Sequence, residues 1–133
     1  MELEKPYYSS IMLIVIMPLI VLVGAFAYGY IYGEETYNVY MVDKIFHFFG
    51  GIVISISTAG VLWQLLRREI ITLQNEIMFV ILIYGFLCFV IIGWEIYEYI
   101  VFYPDKYMTY TDLIMDMICG LIGGIISLLF CIR

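Results

Sequence analysis

The chain has 133 residues, of which 65% are hydrophobic and only 14% charged, with a formal net charge of −6. A soluble domain carries roughly 25% charged residues, so this composition excludes a water-soluble globule and predicts a chain that turns most of its apolar surface to a lipid bilayer. The shortage of Lys and Arg excludes nucleic acid as a partner, and the length allows a single membrane domain, 1–133, with no separate soluble module.

Crossing the hydrocarbon core takes about 20 mostly apolar residues. Four stretches qualify: Ile11 to Tyr32, Asp43 to Leu66, Ile77 to Tyr103 and Thr111 to Ile132. The predicted fold is therefore all-α, a polytopic bundle of four transmembrane helices. Pro18 marks a candidate kink in the first span, because neighbouring helices can satisfy the carbonyl it frees. Ala25-Phe26-Ala27 resembles a signal-peptidase site, but Glu2, Glu4 and a single Lys5 make a poor leader, and the span is expected to be retained.

The second span opens with Asp43, Lys44 and His47. Lys44 is read as snorkelling to the interface, with binding of a phosphate or carboxylate as the alternative. The connection from Arg67 to Glu76 contains no His or Cys and is expected to be an ordinary link without chemistry. The third span carries Glu95 and Glu98 and is closed by Pro104. The fourth opens with Asp112 and Asp116 and continues into Gly120-x-x-x-Gly124, a pattern that lets helices approach closely. Whether that face packs within the chain or joins copies in a homo-oligomer is open at this stage. Gly50, Gly51, Gly85 and Gly93 are expected to be helix contact points, and Trp63 and Trp94 packing or interface anchors. Cys88, Cys119 and Cys131 lack C-x-x-C spacing and read as small packing residues.

Orientation follows the basic residues. Lys5, Arg67, Arg68 and Arg133 share one side if both termini are cytoplasmic, which predicts a multi-pass cell-membrane protein. The other side holds Lys44 and Lys106 with Glu34, Glu35, Asp43 and Asp105. Tyr28, Tyr30, Tyr32, Tyr37, Tyr40, Tyr97, Tyr99, Tyr103, Tyr107 and Tyr110 crowd that side and suggest an aromatic belt at the outer interface.

Within this topology three ionisable pairs reach a common depth. Asp43/His47 and Asp112/Asp116 are four residues apart and Glu95/Glu98 three apart, so each pair lies on one helical face. At 1.5 Å per residue all six fall within roughly 12 Å of the outer boundary. Asp43 and Asp112 stand at helix starts, where capping explains them equally well. Glu95 and Glu98 lie near a helix C-terminus, where negative charge is unfavourable, and they require a cation or a proton. Five carboxylates with one imidazole suit a divalent metal, Mg²⁺, Mn²⁺, Fe²⁺ or Zn²⁺, held between facing helices. The candidate ligands are Asp43, His47, Glu95, Glu98, Asp112 and Asp116, with Glu95 and Glu98 also candidate catalytic bases.

DKIFHF at Asp43 to Phe48, WEIYE at Trp94 to Glu98 and DLIMDMICGLIGG at Asp112 to Gly124 resemble the motifs of the YjdF-like family of small inner-membrane proteins, which in turn resemble VanZ-like proteins. The resemblance covers Asp43 to Gly124 and leaves the first span unmatched. It implies a multi-pass membrane protein whose reaction the family does not name.

Three functions fit the residues. The leading one is a metal-dependent membrane hydrolase or transferase acting on a lipid-linked substrate at the outer leaflet. The second is a non-catalytic subunit or assembly factor whose buried ions fix helix register. The third is an ion or proton carrier, which must cope with a stretch of apolar chain between the cluster and the cytoplasmic ends.

Overall fold

The computed structural model describes residues 10, 12–33, 41–102 and 109–131. Among the described residues four α-helices follow in order: α1 Met17–Tyr32, α2 Val42–Arg67, α3 Glu76–Phe102 and α4 Tyr110–Cys131. All four, α1 together with the turn before it, are long and apolar enough to cross a membrane, and no strand occurs among the described residues. The expected spans agree with the observed helices to within a residue or so at each end, apart from the start of the first. The chain is thus an all-α, multi-pass membrane protein.

The first span departs from a uniform α-helix. A π-helical turn, Met12–Ile16, precedes α1, and Pro18 occupies the second position of the α-helix itself. Proline is tolerated in a first turn because its missing N–H has no partner there in any case. The irregularity expected at Pro18 therefore lies just ahead of it, as a change of helix type.

The outer surface is what a bilayer requires. Val23, Ile31, Ile77, Ile81, Phe89, Ile100 and Leu129 are all more than 60% exposed, a belt that water would not tolerate. Tyr30, Tyr32, Tyr97, Tyr99 and Tyr110 are exposed at a single end of the bundle, in keeping with an interfacial belt. Tyr37, Tyr40, Tyr103 and Tyr107, the charges Glu34, Glu35, Asp105 and Lys106, and the terminal Lys5 and Arg133 lie outside the described residues.

Inside, the bundle has two unlike ends. Ala59, Trp63, Ile83 and Leu128 form an apolar core at the end near Arg67, with the Arg67 guanidinium 5.3 Å from the Trp63 ring centre. The opposite end is polar. Between them α2 and α4 meet almost backbone to backbone, because the facing residues are glycines. A Cβ on Gly51 would stand 1.9 Å from the Gly120 carbonyl oxygen, and one on Gly123 would stand 2.0 Å from that of Phe48. Gly120 and Gly124 are buried in the same contact, the latter against Leu87 and Ser55. The small-residue face is therefore occupied within the chain, and a homo-oligomer would have to use another surface. Gly50, Gly85 and Gly93 correct the sequence reading: a Cβ on any of them would meet nothing within 4 Å, so they are not points of close approach.

The α2–α3 link has a definite stop and start. The Ile70 N–H donates to the Leu65 carbonyl and the Glu69 N–H to that of Leu66, both at 3.0 Å, the paired bonds of a Schellman ending. Glu69 takes the left-handed conformation (φ 57°) where glycine is usual. Asn75 Oδ1 then accepts the Met78 N–H at 3.0 Å and caps α3.

Candidate metal centre

Three helices deliver the polar end. Asp43 and His47 come from the first turns of α2, Glu95 and Glu98 from the last turns of α3, and Asp112 and Asp116 from the start of α4. His47 stands in the middle. Its Nε2 lies 3.3 Å from Asp43 Oδ1 and 3.9 Å from Glu98 Oε2, while its Nδ1 lies 3.3 Å from Glu95 Oε1. Two groups of three converge on it. Asp43, His47 and Asp116 form one, and His47, Glu95 and Glu98 the other, each with one ligand atom per residue within 4.8 Å of the others. Metal–ligand bonds of about 2.0–2.6 Å place opposite ligands up to about twice that distance apart, so either group can close on a single ion.

Asp112 is placed differently from the other five. One of its oxygens pairs with Lys44 Nζ, it belongs to neither group of three, and its side chain is 24% exposed. Lys44 also lies 3.2 Å from Asp116 Oδ1. The snorkelling expected of Lys44 is therefore corrected: its ammonium turns inward between two aspartates of α4, and its side chain is 15% exposed. A sequence signal for this existed. Lys44, Gly51 and Ser55 share one helical stripe of α2, the stripe that packs on α4.

The capping explanation of the aspartates gives way as well. Met41 is the N-cap of α2, with φ 53°, and Asp43 sits inside the helix, buried. At α4 it is Thr109 Oγ1 that accepts the Asp112 N–H, at 3.2 Å.

The electrostatic balance is unfavourable for the protein alone. With Lys44 and His47 both cationic, five ionised carboxylates still leave three negative charges in excess at this end of the bundle. Glu95 and Asp116 are each 1% exposed. Both oxygens of Glu95 and Oδ1 of Asp116 lack a hydrogen-bond donor. The contacts of Glu95 with His47 and of Asp116 with Lys44 thus have the distance of ion pairs without the alignment of hydrogen bonds. Leaving a buried carboxylate oxygen so poorly satisfied costs several kcal/mol. A bound cation, or protons on some of the acids, removes that cost.

Beside the cluster lies a partly open cavity of about 270 Å³ between α1, α2 and α3. Its walls are apolar except for His47 and Glu98. Trp94 borders it, with its ring 6.3 Å from that of Phe26 on α1 and 5.6 Å from that of Tyr97. Cys88 and Cys119 are free thiols, half-buried in the helices, while the side chain of Cys131 lies outside the described residues. Comparison of the chain with protein-family models, with curated proteins and with solved structures finds no match.

Proposed function

We propose that the chain is a metal-dependent membrane hydrolase or transferase acting on a lipid-linked substrate, with its divalent ion held at the His47 cluster. The observation that carries this reading is the pair of fully buried carboxylates, Glu95 and Asp116, with both oxygens of Glu95 and Oδ1 of Asp116 without hydrogen-bond donors. An ion held by Asp43, His47 and Asp116 leaves Glu95, at the other ring nitrogen of His47, and Glu98 outside that ligand set, and one of them can take a proton from attacking water. The ion would polarise a phosphoryl or acyl oxygen and activate that water. The motifs at Asp43 to Phe48, Trp94 to Glu98 and Asp112 to Gly124 are the ground for proposing membership of the YjdF-like family, distantly VanZ-like.

A structural role is the second reading, and the Lys44 contacts favour it. That lysine already neutralises part of Asp112 and Asp116 and ties α2 to α4 in register without any ion. The carrier reading is less well supported. Among the described residues the buried polar side chains beyond the cluster are Ser55, Ser127 and Trp63. Ser127 donates to the Gly124 carbonyl at 2.8 Å, while Ser55 Oγ and Trp63 Nε1 have no partner. They do not link into a relay.

Elemental analysis of protein purified without chelator separates the readings. We expect a stoichiometric divalent metal, lost in His47→Ala and in Asp116→Asn but retained in Lys44→Met. A folded wild-type protein that takes up no divalent metal on dialysis would overturn the metal-dependent reading. The proposed orientation, both termini cytoplasmic with the cluster in the outer half, has a separate check. Cysteines introduced at 34–38 or 105–107 should react with an impermeant reagent added outside, and labelling of 69–75 instead would invert the topology.

A further inference from the structure

The cavity beside the cluster is one-ended in its chemistry. Glu98 and His47 stand at its polar end, and Pro18, Ile54 and Val90 line it toward the middle of the bundle. From Glu98 to Val90 is about 12 Å along the helix. Over that depth the cavity's volume of about 270 Å³ and its apolar walls can take a stretch of hydrocarbon chain. That volume is slightly below the roughly 300–1,000 Å³ usual for small-molecule sites. The slot lies within helices that cross the membrane, where the most abundant slender apolar molecule is a lipid chain.

We propose that this slot holds a single hydrocarbon chain of a membrane lipid, with the head group of that lipid brought to His47 and Glu98. The inference deepens the enzymatic reading and rests on it for the head group, though not for the chain. The acidic cluster repels a phosphate head unless a divalent ion lies between them, whereas a neutral head is indifferent to the ion. One residue makes the slot testable without disturbing the bundle. Gly50 borders the cavity, and a Cβ there meets nothing within 4 Å, so a larger side chain at this position starts from open space rather than against backbone.

The two tryptophans supply the readout. Trp94 borders the slot, while Trp63 is buried in the apolar core near Arg67. In nanodiscs of unbrominated phosphatidylcholine, a monoacylglycerol dibrominated in mid-chain should quench Trp94 saturably at low mole fraction. A Trp63→Phe variant isolates that signal, and the wild-type titration serves as the second measurement if the variant does not fold. Gly50→Leu should weaken the saturable component at least about tenfold while leaving metal content unchanged. Quenching that rises linearly with mole fraction, and equally in Gly50→Leu, would overturn the slot. The same brominated chain on a lysophosphatidic acid should bind more tightly with divalent metal than with chelator. Saturable binding of the neutral probe without that metal dependence would retain the slot and remove the metal-bound head group.

Discussion

Gly123→Ala should destabilise the protein by about 3 kcal/mol or more, at the upper end of what overpacking costs, whereas Gly50→Ala should be close to neutral. Both residues are glycines in the middle of a predicted span, and nothing in composition distinguishes them. The structure does. A methyl group on Gly123 would stand 2.0 Å from the Phe48 carbonyl oxygen, and one on Gly51 would stand 1.9 Å from that of Gly120, while Gly50 has open space. Backbone atoms cannot swing aside as a side-chain end can, so α2 and α4 must separate by an ångström or more along their whole contact. Small residues earn their place at such crossings because close approach supplies the dispersion contacts that hold membrane helices together. The same separation moves Phe48, and His47 beside it, away from α4. Thermal unfolding in detergent should therefore show Gly51→Ala and Gly123→Ala well below wild type, with weakened metal binding, and Gly50→Ala at or slightly above it, since alanine is the better helix former by roughly 0.5–1 kcal/mol. Equal effects at Gly50 and Gly123 would mean that the two helices do not cross here.

Much of this was legible in the sequence because the strongest signals are local. Twenty-residue apolar runs set the helices, and spacings of three and four placed each acidic pair on one face. The cost of isolated charge in lipid then required the pairs to meet, and five of the six residues do so around His47, Asp112 being held instead by Lys44. What the sequence could not settle depended on azimuth, the direction in which each helical face points. Gly50 and Gly51 are adjacent and both border the cavity, yet only Gly51 is pressed against α4, while a Cβ on Gly50 meets nothing within 4 Å. Lys44 lies at the right depth to snorkel, and only its stripe on α2, shared with Gly51 and Ser55, turns it inward to Asp112 and Asp116. Asp112, four residues from Asp116, shares its face but is nearer the helix start and is claimed by the lysine. The slot beside Trp94 was invisible for a different reason. It is an absence of atoms among three helices, and no residue pattern records an absence.

Metal should change where two charge variants stand against wild type in stability. In chelator, Glu95→Gln should be more stable than wild type, by about 1–2 kcal/mol, because a buried carboxylate without hydrogen-bond donors is replaced by a neutral group of the same shape. Lys44→Met should be less stable. Removing one partner of a buried ion pair typically costs 3–5 kcal/mol, but the Lys44 and Asp112 side chains are 15% and 24% exposed, so solvent screening lowers the expectation to about 2 kcal/mol. A divalent ion at the cluster changes each term separately. At a hundredfold excess over its dissociation constant it stabilises wild type by about 2.7 kcal/mol. Lys44→Met should gain more than that, because the ion supplies the positive charge the lysine gave Asp116. Glu95→Gln should gain less, having lost a ligand or a neighbouring charge that attracts the ion. Wild type should then equal or exceed Glu95→Gln, and Lys44→Met should close most of its gap. A cluster that serves only to fix register predicts the opposite: the order found in chelator, Glu95→Gln above wild type above Lys44→Met, persists unchanged when metal is added.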